Sequence, residues 1–150
     1  MTADSDLIKL YSGRILALAA DIPLTERLDA PDGTAKRRSP LCGSTVTVDI
    51  DLEDGRVVRF GQDVKACALG QAAASVVGAN IIGRTRAEVE RARDELRAML
   101  KENGPVPSAP FAELEVLEPA RDFKNRHASI MLTLDAALDA WDAAEAEACA

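Results

Sequence analysis

Apolar and polar residues alternate most cleanly from Thr45 to Leu52. Val46, Val48, Ile50 and Leu52 face one way; Thr45, Thr47, Asp49 and Asp51 face the other. A period of two marks a half-buried strand. Asp54–Gly55 is a hairpin signal, and "RVVRFGQDVKA" predicts the returning strand, with a break at Gly61 that would give a short third one. Elsewhere the period is helical. Ser5 or Asp6 caps a predicted first helix that runs to about Ala20 and carries Leu7, Leu10, Tyr11 and Leu18. Asp21 to Pro40, rich in Pro, Gly, Asp and charge, reads as one long irregular connection. "CALGQAAASVVGANIIG" is small and apolar and predicts a tightly packed helix. Thr85 and Glu88 form a capping box before a helix with Val89, Ala92, Leu96, Met99 and Leu100 on one face, ended by Asn103–Pro105. Phe111 to Glu118 predicts a short helix. The last helix is expected to open near Asn125 as its cap. Ile130, Met131, Leu134, Leu138 and Trp141 trace its apolar stripe, His127 extends that stripe by one turn, and Asp135, Asp139 and Asp142 lie on the outer face. The order is helix, antiparallel meander, then several helices. It predicts an α+β class, a small antiparallel β-sheet packed against several α-helices, as a single domain over 1–150.

Composition narrows this picture at a few points. The chain has 150 residues, 47% of them hydrophobic but only 3% aromatic, so the core must rest on Leu, Val, Ile and Ala. A formal net charge of −7 argues against general nucleic-acid binding, which depends on neutralising phosphates. The one basic cluster, "AKRR" at Ala35 to Arg38, reads as a solvated loop ahead of docking surface. No apolar run approaches the roughly 20 residues of a membrane span. The opening "MTADSDLIKLYSG" has acids where a signal peptide has bases, so the expected location is cytoplasmic. Three cysteines with no export signal leave thiol chemistry, metal binding or plain packing.

Three residues could carry chemistry. Cys42, in "SPLCGSTV", lies at a loop-to-strand junction where Gly43 leaves room for another group to approach. Cys67, in "VKACALGQ", lies where a strand hands over to a helix, and unpaired N–H groups there favour a thiolate. His127, the only histidine, is also expected at a helix N-terminus, where the dipole favours the neutral, metal-ligating imidazole. The spacing contains no C-x-x-C. Residue chemistry alone therefore points to a soft-metal or thiol site, with cysteine packing and a satisfied core histidine as the plainer alternatives.

The order of motifs adds more. "SPLCGSTVTVDIDLEDGRVVRF" resembles the stretch around the first cysteine of U-type iron–sulfur scaffold proteins, the NifU N-terminal, IscU and SufU group. "ACALGQAAASVVGANIIGRTRAEVE" resembles the second cysteine motif and the helix that follows. "NRHASIMLTLDAAL" resembles the third, and "IKLYSGRILALAADIP" the opening helix. The resemblance runs through nearly the whole chain in order. It implies the SufE/NifU-like fold and a carrier, not an enzyme. Such a carrier holds iron and a labile 2Fe–2S cluster, or zinc in some branches, takes sulfur from a cysteine desulfurase, and passes the cluster to acceptor apoproteins.

Under that resemblance the first two family cysteines fall on Cys42 and Cys67, and the third falls on Ala128, which ligates nothing. The family aspartate two residues after the first cysteine is Ser44 here. The implied ligand set is Cys42, Cys67 and His127, with Ser44 or Asp63 as an outside fourth. A mixed Cys/His set suits a 2Fe–2S centre or zinc. Sulfur transfer by a persulfide, or a metal-free interaction protein of the same fold, are the other readings. A homodimer stays open. Cys149 lies about 33 Å beyond His127 if the last helix is unbroken at 1.5 Å per residue, too far to replace the missing thiol within one chain.

Overall fold

The computed structural model describes residues 12–40 and 43–149. A three-stranded antiparallel sheet, ordered β1-β2-β3, is built from β1 (Gly33–Arg38), β2 (Thr45–Glu53) and β3 (Arg56–Lys65). The helices are α1 (Gly13–Ala20), α2 (Ala68–Asn80), α3 (Arg86–Lys101) and α4 (Lys124–Cys149), with a 3-10 segment at Ala112–Asp122. The α+β class expected from the alternation is the one found. No helix among the described residues is long and apolar enough to cross a membrane.

The β2–β3 hairpin follows directly from its sequence. Asp54 and Gly55 both take positive φ, 54° and 75°, the turn geometry that matches strand twist. Val46, Val48 and Ile50 are fully buried under the helices. The third strand is not where the alternation put it. β3 runs unbroken through Gly61, and the extra strand comes from "GTAKRR", inside the expected irregular connection. That edge strand has no apolar alternation to announce it, because its side chains are mostly exposed and its burial is backbone packing on α4. A Cβ on Gly33 would stand 2.0 Å from the Ala140 carbonyl oxygen and 2.7 Å from the Ala144 nitrogen. Those are backbone atoms that cannot swing aside, so Gly33→Ala is expected to cost about 3 kcal/mol in urea unfolding.

Gly61 has a different use. It pairs with Asp49 across the strands, and the connection 24–28 crosses the sheet over that pair. A Cβ on Gly61 would meet the Glu26 carbonyl at 2.3 Å. Asp49, fully buried, accepts from Arg27 at 2.6 and 3.1 Å, from the Leu28 amide at 3.0 Å and from the Thr34 hydroxyl at 2.8 Å. Burial pushes its carboxyl up, but the bonds from Arg27, Thr34 and Leu28 outweigh that and hold it below the usual carboxylate range.

The helix expected to run unbroken to about Ala20 is interrupted at Ser12. Ser12 is extended, and its hydroxyl accepts from the Ile15 amide as an N-cap, so α1 starts at Gly13. The caps proposed at Ser5 and Asp6 lie outside the described residues. The Thr85–Glu88 capping box forms as expected, and Val89, Ala92, Leu96, Met99 and Leu100 are all buried. α4 begins at Lys124, so Asn125 lies within its first turn and is not its cap. α4 is buried on nearly all sides from Ile130 to Trp141, not along one stripe, since β1, β2, α2 and α3 all pack on it. Its acids are not a purely solvated face: Asp139 pairs with Arg37 on β1, and Asp142 with Arg86 on α3.

Candidate thiol and metal site

Strand register brings the candidate segments to one end of the sheet. Arg38 pairs with Thr45, and Thr45 pairs with Lys65. The β1–β2 connection is therefore a short loop whose ends are clamped. The Ser39 amide donates to the Ser44 carbonyl at 2.8 Å, and the Gly43 amide to the Ser39 carbonyl at 3.0 Å. Gly43 takes φ of 71°, the left-handed region glycine adopts readily. Cys42 belongs to this loop in sequence but lies outside the described residues.

Two residues after β3 ends, Cys67 stands as the N-cap of α2, half-buried, making no side-chain capping bond. This is the strand-to-helix handover its sequence predicted. The Cys67 sulfur lies 3.4 Å from the Ser129 Oγ, and the Ser129 hydroxyl donates to the Ser44 Oγ at 3.1 Å. Ser44 and Ser129 are both buried. Segments 43–44, 67 and 129 thus meet within hydrogen-bond distance.

His127 is 4% exposed, in the first turn of α4. Its Nε2 lies 3.0 Å from the Ala120 carbonyl oxygen and 3.1 Å from that of Arg121. Carbonyls only accept, so Nε2 carries the proton and donates. Nδ1 makes no hydrogen bond among the described residues. That is how a ligating histidine is oriented: one ring nitrogen held by backbone, the other left for a metal. Arg121 is itself fixed by donating to the Met99 and Gly104 carbonyls at the end of α3. His127 and Ala128 line an open cavity of about 620 Å³, together with Lys101, Arg121 and Lys124.

Among the described residues the arrangement joins Cys67 to Ser44 through Ser129 but does not close a full ligand set. Among the described residues, no three His, Cys, Asp or Glu side chains come close enough to hold a metal ion. Cys67 is not in the wall of the cavity that His127 lines. Asp63, half-buried near the end of β3, has its charge close enough to Arg27 to favour the guanidinium. Cys149 ends the unbroken helix that opens three residues before His127, as the spacing argument required. Sequence reasoning missed Ser129. The available signal was a small polar residue heading an otherwise apolar run, next to a residue already singled out.

An α+β domain with a thiol at a helix N-terminus, joined through Ser129 to a clamped glycine loop, is the class that these features define. The comparisons with known structures place it further. A crystal structure of a nitrogen-fixing NifU-like protein (N-terminal) from Brucella abortus is 47% identical, with a TM-score of 0.92 over 94% of this chain and 98% of that one. The chain belongs to this family of NifU-like N-terminal domains. A candidate iron–sulfur cluster assembly scaffold protein for the SUF system from Fervidobacterium islandicum AW-1 has the same fold at 17% identity, with a TM-score of 0.79 over 87% of this chain and 96% of that one. A hypothetical protein at 18% identity does so with a TM-score of 0.74 over 91% and 97%. No family model matches the chain, and no curated protein does.

Proposed function

We propose that this chain is an iron–sulfur assembly scaffold. It takes up iron and sulfur, holds a labile 2Fe–2S cluster on Cys42, Cys67 and His127, and passes it to acceptor apoproteins. It acts as a single-domain carrier in the cytoplasm, not as an enzyme, with a cysteine desulfurase as its sulfur source. The observation that carries the reading is the meeting of Cys67, Ser129 and Ser44 beside the Cys42 loop, in a chain of the NifU-like family. Thiolate and imidazole are the donors such a cluster takes. His127 adds support, because its Nε2–H is fixed by backbone and its Nδ1 is left to bind. Transfer by this site is a ligand exchange: thiolates of the acceptor replace those of the carrier, and no electron is required. Fewer thiolates than a four-cysteine site hold the cluster less firmly, which suits a cargo that must leave.

Iron, zinc and acid-labile sulfide per chain, measured on protein purified without oxygen, test this. Iron with matching sulfide is the expected result. Zinc alone would replace the reading with a sulfur-transfer or structural site. No metal after reconstitution with iron and sulfide would overturn it. Ala128→Cys is expected to raise cluster retention against a chelator by about tenfold or more, because it adds a thiolate next to His127. Unchanged retention would show that residue 128 does not face the cargo.

A further inference from the structure

Ser129 has no part in the ligand set, yet the thiol end of the molecule is built around it. Its side chain is 1% exposed. Its Oγ touches both the Cys67 sulfur, at 3.4 Å, and the Ser44 hydroxyl, at 3.1 Å. α2 also approaches α4 closely at this point. A Cβ on Gly70 would lie 2.7 Å from the Ser129 Oγ and 3.1 Å from its carbonyl oxygen. The glycine one turn into α2 thus leaves the space that the hydroxyl occupies.

We propose that Ser129 is the positioning residue for Cys67: its buried hydroxyl fixes the sulfur against the Ser44 loop and donates to that sulfur when it binds a metal. The metal half rests on the function proposed above; the positioning half does not. A hydroxyl has one proton to give and lone pairs with which to accept. While Cys67 is a thiol, its S–H donates to Ser129, which donates to Ser44. A sulfur bound to metal has no proton to give. Ser129 then turns its proton to the sulfur, so one hydroxyl serves the empty and the loaded state by rotation about its own C–O bond. The bond to an anionic sulfur is the stronger one, and hydrogen bonds to ligand sulfur are a lever on what a metal site holds.

Two measurements on the full chain decide it. The first is a double-mutant cycle in urea with Cys67→Ala, Ser129→Ala and the pair, all free of metal. The unfolding constant is expected to show a coupling of about fivefold between the two positions. Independence to within about twofold would overturn the proposal, since unconnected sites add. The second is the sulfur-to-cobalt charge-transfer band of protein loaded with Co(II). In Ser129→Ala it is expected to move to longer wavelength, because the sulfur loses a hydrogen bond that lowers its electron energy. A band that stays in place in the folded variant would overturn the proposal. If the unsubstituted chain takes up no cobalt, the metal-binding reading falls, and the coupling alone decides whether Ser129 positions Cys67.

Discussion

Cys67→Ala is expected to cut iron and acid-labile sulfide per chain at least about tenfold after anaerobic reconstitution. The fold should survive. Cys67 is half-buried at a helix cap and makes no capping bond, so its removal takes away part of one side chain's packing and a single bond to Ser129, too little to unfold the domain. Cys42→Ala should match it, because both thiolates are needed to hold the cargo. Cys149→Ala is the internal control. It lies about 33 Å along α4 from His127 at 1.5 Å per residue and should load normally. Normal loading of both Cys42→Ala and Cys67→Ala chains, with far-ultraviolet spectra unchanged, would end the scaffold reading.

Asp49→Ala is expected to cost about 3 kcal/mol of stability at pH 7 in urea unfolding. One buried carboxylate holds the 24–28 connection to the sheet through Arg27 and the Leu28 amide, and ties β1 to β2 through Thr34. The Arg27 side chain is half exposed, so it regains water when its partner goes, and the loss stays below that of a fully buried pair. The pH dependence has a definite sign. The Asp49 carboxyl is held below its usual range in the folded state, so its contribution is complete above about pH 4, the ordinary aspartate value, and fades as pH falls below that. The stability gap between the unsubstituted chain and Asp49→Ala should therefore narrow between pH 4 and strongly acid solution. A gap that stays constant to about pH 2 would show that the carboxylate's charge is not what holds the connection.

The local elements were legible because each rests on a short-range rule. The alternation of Val46, Val48 and Ile50, the turn at Asp54–Gly55 and the Thr85–Glu88 box all specify their structure through neighbours in sequence. Cys67 at a strand-to-helix junction belongs with them. The order of motifs around Cys42, Cys67 and His127 was enough to suggest the family, and the likeness to the Brucella abortus protein bears that out. Placing Cys42 among the ligands rests on the resemblance, since it lies outside the described residues.

Tertiary structure alone decided the rest. β1 is a strand because it pairs with β2 and lies under α4, so close that position 33 must be glycine, a contact more than 100 residues away that no window of sequence carries. Gly61 breaks nothing; it makes room for a crossing chain that Asp49 then holds. α4 reads as one-sided in sequence, yet it is the central element, covered by sheet and helices at once. The role of Ser129 has the same origin. A small polar residue at the head of an apolar run is a faint signal, and its meaning comes from the two partners that folding brings to it, Cys67 sixty-two residues before it and Ser44 eighty-five before it. Sequence fixes what a segment does with its neighbours. Which distant atoms complete a buried polar group is settled when layers pack, because only then must each such group find its partner.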